Sequence, residues 1–192
     1  MRLCGRCSGI LPKPEEATMA FLPSDHSEIE ILPDGSAVEI RALAEDDRAG
    51  MLAAVDRMSE RSLYQRFFAF KRCLTEREIE FYVDIDFTGH VALVAVLEED
   101  GQPLIVGGGR YIVVRPGRAE VAIAVDDAHQ GRGIGGLLLH HLAVLAQRAG
   151  IRELVADILP ENRAMMKLCK ESGLGMKASY EPGTCHVTLQ LR

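Results

Sequence analysis

A strand, a glycine-rich loop and a helix follow one another between residues 118 and 149, and this succession most constrains the fold. The apolar run EVAIAV (120–125) predicts a strand. Residues 129–136 read HQGRGIGG, and the stretch LLLHHLAVLAQ (137–147) is typical of a helix. Glycines at this density, between a strand and a helix, let backbone N–H groups close around a phosphate. We therefore expect a phosphate-containing ligand at this loop.

The loop fits two phosphate-binding patterns. Gly131, Gly133 and Gly136 match G-x-G-x-x-G, the dinucleotide fingerprint, and Asp157 lies where a ribose-binding carboxylate is expected. Residues 130–135 match Q-x-x-G-x-G instead. The first pattern predicts a nicotinamide or flavin enzyme, so the surrounding elements have to decide between the two.

The elements around the loop favour the second pattern. Apolar runs separated by the turns EDG and RPGR predict three antiparallel strands before the loop. The full predicted order is a strand at 36–42, three helices within 44–86, three strands within 90–125, a helix at 133–149, a strand at 151–159, a helix after Pro160, and strands at 175–181 and 184–191. We expect an α+β (mixed α/β) fold with a mostly antiparallel mixed sheet and helices on both faces. Too little chain follows the loop for a doubly wound parallel sheet.

Composition and charge limit the domain count and the partners. The 192 residues favour one domain at 36–192 after a loose N-terminal extension at 1–35. A net charge of −6 argues against nucleic-acid and anionic-membrane partners, and a cytoplasmic protein is expected. Cys4 and Cys7 form one C-x-x-C pair without a second pair at zinc-finger spacing, and no metal site is expected.

Residues 130–135, together with ENRAMMKLCKESG (161–173), resemble the coenzyme A site of the GNAT acyltransferase superfamily. The resemblance implies acetyl-CoA as the co-substrate, with its pyrophosphate at the helix N-terminus, where unpaired N–H groups and the helix dipole favour an anion. Arg132 is expected to add a charge-assisted contact. The implied cofactor-binding residues are Gln130, Gly131, Arg132, Gly133, Ile134, Gly135, Gly136, Asn162 and Met165, with backbone groups of Ile123, Ala124 and Val125 along the pantetheine arm. Asn162 is also a plausible helix-capping residue.

The acetyltransferase domain of bacterial protein lysine acetyltransferases that modify acyl-CoA synthetases resembles this chain in the segments SLYQRFFAFK, HVALVAV, GGGRYIVVRPGRAEVAIAV, HQGRGIG and EPGTCHVTLQL. This resemblance covers about residues 37–192 and implies acetyl transfer to a protein lysine. A small-amine or amino-acid acetyltransferase and a non-catalytic acetyl-CoA sensor are the alternatives, and either a monomer or a dimer is compatible with the sequence.

The same resemblance implies that Glu120 is the general base. Strand alternation places it on one face with Ala122 and Ala124, whose small side chains leave room for a substrate. Many GNAT enzymes protonate the leaving thiolate with a Tyr in the last helix, but Cys169 stands at that position here, so either its thiol or solvent supplies the proton. Further expectations place His129 near the phosphates and His90 and Tyr111 on the acceptor side, whereas His140 and His141 have packing or surface roles.

Overall fold

The computed structural model describes residues 22–69 and 74–191. The strands in these ranges are β1 (Ser27–Ile31), β2 (Ala37–Ala42), β3 (His90–Glu99), β4 (Gln102–Arg115), β5 (Arg118–Val125), β6 (Glu153–Ile158), β7 (Gly175–Glu181) and β8 (Thr184–Gln190). The α-helices are α1 (Arg48–Asp56), α2 (Glu60–Phe67), α3 (Glu76–Val83), α4 (Ile134–Arg148) and α5 (Arg163–Glu171). Every strand and helix predicted after residue 35 is present, with small shifts at the ends. The expectations for Cys4 and Cys7 fall outside the described residues.

The strands form one sheet in the order β1-β2-β3-β4-β5-β6-β8-β7. β5 and β6 are parallel, and all other neighbouring strands in the sheet are antiparallel. This confirms the mixed, mostly antiparallel sheet. It also removes the parallel doubly wound framework that a dinucleotide fingerprint needs.

Local sequence fixes several of these elements. Asp100 and Gly101 join β3 to β4 with φ values of 50° and 74°, the conformation that a two-residue type I′ hairpin turn requires. Thr75 and Glu78 form the predicted capping box, in which each side chain accepts a hydrogen bond from the other residue's backbone N–H. The turn between β3 and β4 and the start of α3 therefore lie where the local sequence predicts them.

Helices cover both faces of the central strands. Val91, Leu93 and Ala95 of β3 belong to the larger core, which includes the apolar side of α4. Ala92 and Val94, on the opposite face, pack in a smaller core with Ala54 of α1 and with Ile105. Burial on both faces explains why β3 reads as a continuous apolar run.

A glycine of β4 sets how closely α4 approaches the sheet. A Cβ added at Gly109 would lie 2.8 Å from Cδ1 of Leu142, so a side chain at position 109 would displace the Leu142 side chain of α4. The run of three glycines at 107–109, which reads as a weakness in a strand, thus has a packing role.

The expected loose extension is wrong for residues 22–35, because β1 lies within it and pairs with β2 along its whole length. β1 is an edge strand, and its Ile29 and Ile31 are exposed. The alternation of apolar and polar residues in β1 therefore does not mark a buried face. Its start is held instead by His26, whose Nε2 lies 3.0 Å from Nδ1 of buried His141 in α4. No helix in the described ranges has the length and apolar composition needed to span a bilayer.

Candidate active site

The sheet opens between its two parallel strands. β5 pairs with β6 at three positions, Arg118 with Glu153, Ala119 with Leu154 and Glu120 with Val155. Beyond these pairs β5 continues to Val125 and β6 to Ile158. The free edge of β5 from residue 121 onward presents backbone groups that an extended ligand can pair with, as an added strand does.

A cleft of about 1110 Å³ occupies this opening and continues to the N-terminus of α4. It contains all but one of the residues that the sequence assigned to the site. Those that line it are Glu120, Ile123, Ala124, Val125, Gln130, Gly131, Gly133, Ile134, Gly135, Gly136, Asn162 and Met165. Topology therefore brings the three separate sequence segments to one surface.

The glycine loop presents unpaired backbone donors at the mouth of the cleft. Gly131 and Gly133 have φ values of 77° and 96°, which side chains rarely tolerate. Gly133 is the N-cap of α4 and provides no side-chain cap. Within the described part of the chain, the N–H groups of Ile134 and Gly135 have no hydrogen-bond acceptor. Such a helix N-terminus suits an anionic group, and the residues present fit a pyrophosphate.

The glycines do not all act by leaving space for a ligand. A Cβ at Gly135 would lie 2.8 Å from Cδ1 of Leu168, so this glycine lets α4 and α5 approach. A Cβ at Gly136 would meet no described atom within 4 Å. Gly135 therefore has a packing role as well as a position in the cleft wall.

Gln130 secures the end of β5. Its side-chain amide donates to the carbonyl oxygen of Val125 at 3.0 Å and to Oγ of Ser62 at 3.2 Å. The loop between them is anchored by Asp126, which is buried and accepts a hydrogen bond from Nε of Arg57 at 3.0 Å. The motif glutamine thus fixes the loop against β5 and α2.

Arg132 is the predicted site residue that lies elsewhere. Its Nε lies 3.0 Å from the carboxylate of Asp34, and Nη2 lies 2.9 Å from Oγ of Ser36, in the turn between β1 and β2. The guanidinium is held by this turn and lies outside the cleft lining, so the predicted charge-assisted contact with the phosphates stays a prediction.

Helix α5 begins at the cleft wall and continues into the core. Asn162 is the N-cap of α5, and its Oδ1 accepts a hydrogen bond from the N–H of Met165 at 3.0 Å. Both residues also line the cleft. Cys169 is fully buried and does not line it, and burial raises the pKa of its thiol to about 11. Cys169 therefore packs in the larger core, which favours solvent over its thiol as the source of the proton.

The acceptor side of Glu120 contains a cluster that sequence reasoning missed. Glu120 is exposed and shares its face of β5 with Ala122, which lies opposite Arg110 of β4. The Arg110 guanidinium stacks 4.3 Å from the ring centroid of Tyr82, and that of Arg66 lies 5.8 Å from the same ring. Arg110 lies near Glu120 only because the strand register pairs residue 110 with residue 122, which the sequence alone does not show.

Three predicted aromatic positions have other roles. Tyr111 is fully buried in the larger core, and its hydroxyl has no partner in the described ranges, so it does not line the acceptor side. Nε2 of His90 lies 3.0 Å from Nη1 of Arg110. Burial, reinforced by the charge of Arg110, lowers the pKa of His90 to about 4. His129 lines the cleft beside the glycine loop, but its ring nitrogens are directed at Asp126 at 2.5 Å and Glu99 at 3.1 Å.

Two clusters of titratable side chains lie apart from Glu120: the pair of Asp157 and His186, and a group of two histidines and a glutamate. Asp157, the carboxylate that favoured the dinucleotide interpretation, lies 2.5 Å from Nδ1 of His186, and this hydrogen bond raises the pKa of the imidazole. His26, Glu28 and His141 place three metal-ligating atoms within 4.8 Å of one another, but none of them lines the cleft.

A sheet opened at a parallel pair, with a glycine-lined helix N-terminus at its mouth, defines a coenzyme A-dependent acyltransferase fold. The model of the acetyltransferase (GNAT) family matches residues 57–176, and the chain belongs to this family. It is an N-acetyltransferase that uses acetyl-CoA.

Individual relatives agree with this assignment. The chain is 31% identical over 176 residues to Acetyltransferase PA5475 of Pseudomonas aeruginosa, covering 91% of this chain and 93% of that one. It is 34% identical over 119 residues to Acetyltransferase Pat of Mycolicibacterium smegmatis, covering 60% of this chain and 34% of that one. The solved GNAT domain of S. lividans PAT superposes with a TM-score of 0.78 at 31% identity, covering 86% of this chain and 97% of that one.

Proposed function

We propose that the protein transfers the acetyl group of acetyl-CoA to a lysine amine of another protein, with Glu120 as the general base. The observation that carries this proposal is the position of Glu120 at the last pair before β5 separates from β6, exposed on the cleft wall. The small side chains of Ala122 and Ala124 lie beside it on the same face.

The cleft offers a separate contact to each part of the donor. The N–H groups around Gly133 and at the start of α4 bind the pyrophosphate. Of the predicted backbone contacts, those of Ile123 and the N–H of Val125 lie on the free edge of β5 and pair with the pantetheine arm, whereas Ala124 faces β4. One of the free N–H groups stabilises the oxyanion. Asn162 and Met165 form the facing wall, and Gln130 holds the loop in place.

The reaction requires a neutral amine. A lysine amine has a pKa of about 10.4, so at neutral pH it must first lose a proton. Glu120 accepts that proton directly or through a water molecule, and the amine nitrogen then attacks the thioester carbonyl carbon. The C–S bond breaks as the amide forms, and the attacking nitrogen releases its excess proton to solvent. The departing thiolate takes its proton from solvent, because the Cys169 thiol is buried away from the cleft.

Support for a protein acceptor comes from likeness rather than from the cleft itself. The sequence resembles bacterial protein lysine acetyltransferases over about residues 37–192, and the fold matches the GNAT domain of S. lividans PAT over 97% of that chain. Both observations favour a lysine acceptor over a free polyamine.

Acetyl-CoA labelled in its acetyl group tests this proposal when it is offered with a panel of acceptors. The panel holds a bacterial acyl-CoA synthetase, free amino acids and polyamines, and each is incubated with wild-type protein and with Glu120→Gln. We expect label on synthetase lysines, lost in the variant. Label on small amines alone would replace the protein acceptor, and a thermal shift with acetyl-CoA but no labelled acceptor would indicate a sensor.

A further inference from the structure

Two arginines converge on the acceptor side of the cleft from different elements. Arg66 projects from the last turn of α2 and Arg110 from β4, and both guanidinium groups lie over the ring of Tyr82. Arg66 lines the large cleft, as do Tyr82 and Glu120. Arg110 and Ala122 line the adjoining apolar recess, which Arg66 and Tyr82 share. The two cations thus border the space beside the proposed base.

The hydrogen-bond partners of Arg110 carry no negative charge. Nη1 of Arg110 lies 3.0 Å from Nε2 of His90 and 3.3 Å from the backbone carbonyl oxygen of Tyr82. Among the described residues, no acidic side chain forms an ion pair within 4.0 Å of either Arg66 or Arg110.

Other arginines of the chain behave differently. Arg41 lies 2.6 Å from Asp47, and Arg57 lies 3.0 Å from Asp126. Partly buried cations in this fold are therefore normally matched by a carboxylate, as the cost of removing charge from water leads one to expect. Arg66 and Arg110 differ from these arginines, because neither forms an ion pair with a described carboxylate.

One acid influences the pair without neutralising it. The charge of Glu120 favours the protonated form of Arg66, although burial lowers the pKa of Arg66 overall. Burial and the charge of Arg66 lower the pKa of Arg110 to about 9. The C-terminal carbonyl groups of α2 stabilise a cation at Arg66, but Arg110 lies on a strand and gains nothing from that dipole. Two cations against one carboxylate leave a local excess of positive charge.

We propose that Arg66 and Arg110 form an anion subsite that binds a carboxylate of the acceptor, close to the amine that is acetylated. The inference rests on the proposed acetyl transfer to an amine and specifies its substrate class. The carboxylate belongs either to an acidic side chain beside a target lysine or to a free amino acid that is itself the acceptor. Guanidinium groups are suited to this partner because they donate two parallel hydrogen bonds.

Two matched ligand pairs test the subsite on the full chain saturated with coenzyme A. The first pair is a blocked pentapeptide with a central lysine flanked by Asp residues and the same peptide with Asn. The second pair is leucine and leucinamide. Binding is measured by calorimetry, and label transfer from acetyl-CoA is measured separately with the same four compounds.

We expect the acid of at least one pair to bind about tenfold more tightly than its amide, the scale of one charge-assisted contact. Arg66→Gln should reduce this preference at least fivefold, and Arg66→Lys, which keeps the charge, should retain part of it. Arg61→Gln is the matched control, because Arg61 is an exposed residue of the same helix that does not line the cleft. Thermal melting checks that each variant folds.

The outcomes separate the subsite from the reaction. Equal binding of acid and amide in both pairs overturns the subsite, whether or not label is transferred. A preference that Arg61→Gln removes as fully as Arg66→Gln also overturns it. If the acids bind more tightly but no amine is labelled, the subsite stands and the proposed acetyl transfer fails. The pair that shows the preference identifies the source of the carboxylate.

Discussion

Glu120 lies opposite Val155 at the last position where β5 and β6 pair. The backbone of β5 is satisfied by β6 up to this residue and open to a ligand beyond it. A carboxylate at the point of separation lies next to both the free strand edge and the acceptor space. This relationship links the sheet topology to the proposed chemistry.

Replacement of Glu120 by Gln should lower kcat about 10²–10⁴-fold, the usual contribution of a general base. The amide keeps the shape and a hydrogen-bonding oxygen but cannot accept the proton. The dissociation constant of acetyl-CoA should stay within a factor of about two, since the donor pairs with β5 beyond this residue. Steady-state kinetics and calorimetry measure the two quantities.

Glu98→Gln is the control for this prediction, because Glu98 is an exposed carboxylate at the far end of β3. It should change neither quantity. A Glu120→Gln enzyme with wild-type kcat would assign proton removal to another group.

Gly133→Ala and Gly136→Ala should have opposite effects on stability. The φ of 96° at Gly133 disfavours alanine, at a cost of about 1–2 kcal/mol in the free energy of unfolding. Gly136 lies in α4 and a Cβ there meets nothing, so alanine should stabilise the helix by up to about 1 kcal/mol.

The affinity for acetyl-CoA then shows whether the pyrophosphate lies against this turn. Both variants should bind acetyl-CoA more weakly, although one is more stable than wild type. Chemical denaturation and calorimetry give the two readouts. Wild-type affinity in Gly136→Ala would place the phosphates away from that residue.

Arg132→Gln should leave acetyl-CoA affinity within about threefold of wild type, because the guanidinium faces Asp34 and Ser36 instead of the cleft. Its loss should change stability little, as is usual for an exposed ion pair. Asp34→Asn should have a similar effect, and the double variant should cost less than the sum. A tenfold or larger loss of affinity would restore the phosphate contact predicted from the motif.

Sequence reasoning reached the order of the elements because turns, caps and apolar periodicity act locally. It also reached the cleft-lining residues, because the resemblance located the glycine loop, the strand before it and the start of α5. It missed β1, whose apolar Ile29 and Ile31 are exposed at a sheet edge.

The sequence did not predict the direction of side chains or the contacts between neighbouring strands. The sequence does not say that the Arg132 side chain is held by a turn 98 residues away. Nor does it say that Arg110 lies beside Ala122, since the register of this hairpin depends on the irregularity between Val113 and Arg115 of β4. Bulges within a hairpin and the direction of side chains decide which residues complete a site, and the pattern of residue types encodes neither.

Cys169→Ala should leave kcat close to wild type, because the thiol is buried, does not line the cleft and has a pKa raised to about 11 by burial. The smaller side chain should cost about 1 kcal/mol of stability through a small cavity. Cys169→Ser should cost about 1–3 kcal/mol if its hydroxyl finds no partner in the core. A kcat reduced tenfold or more in a folded Cys169→Ala variant would reinstate the thiol as the general acid.

His90 should make the protein less stable as the pH falls. Burial and the charge of Arg110 lower its pKa to about 4 in the folded state, against 6.5 for an unperturbed histidine. The neutral imidazole is therefore favoured by folding, and its contribution is complete above pH 6.5 and lost as the pH falls towards 4. By pH 5 the loss should amount to about 2 kcal/mol.

His90→Gln supplies the comparison, since a Gln oxygen still accepts a hydrogen bond from Arg110 but does not titrate. Between pH 7 and pH 5, the free energy of unfolding of wild type should fall more steeply than that of this variant. His186→Gln should show the opposite sign, because Asp157 raises the pKa of His186 and the stabilisation is greatest at low pH. Urea denaturation across this pH range measures all three proteins, and parallel slopes for wild type and His90→Gln would contradict the proposed neutral contact with Arg110.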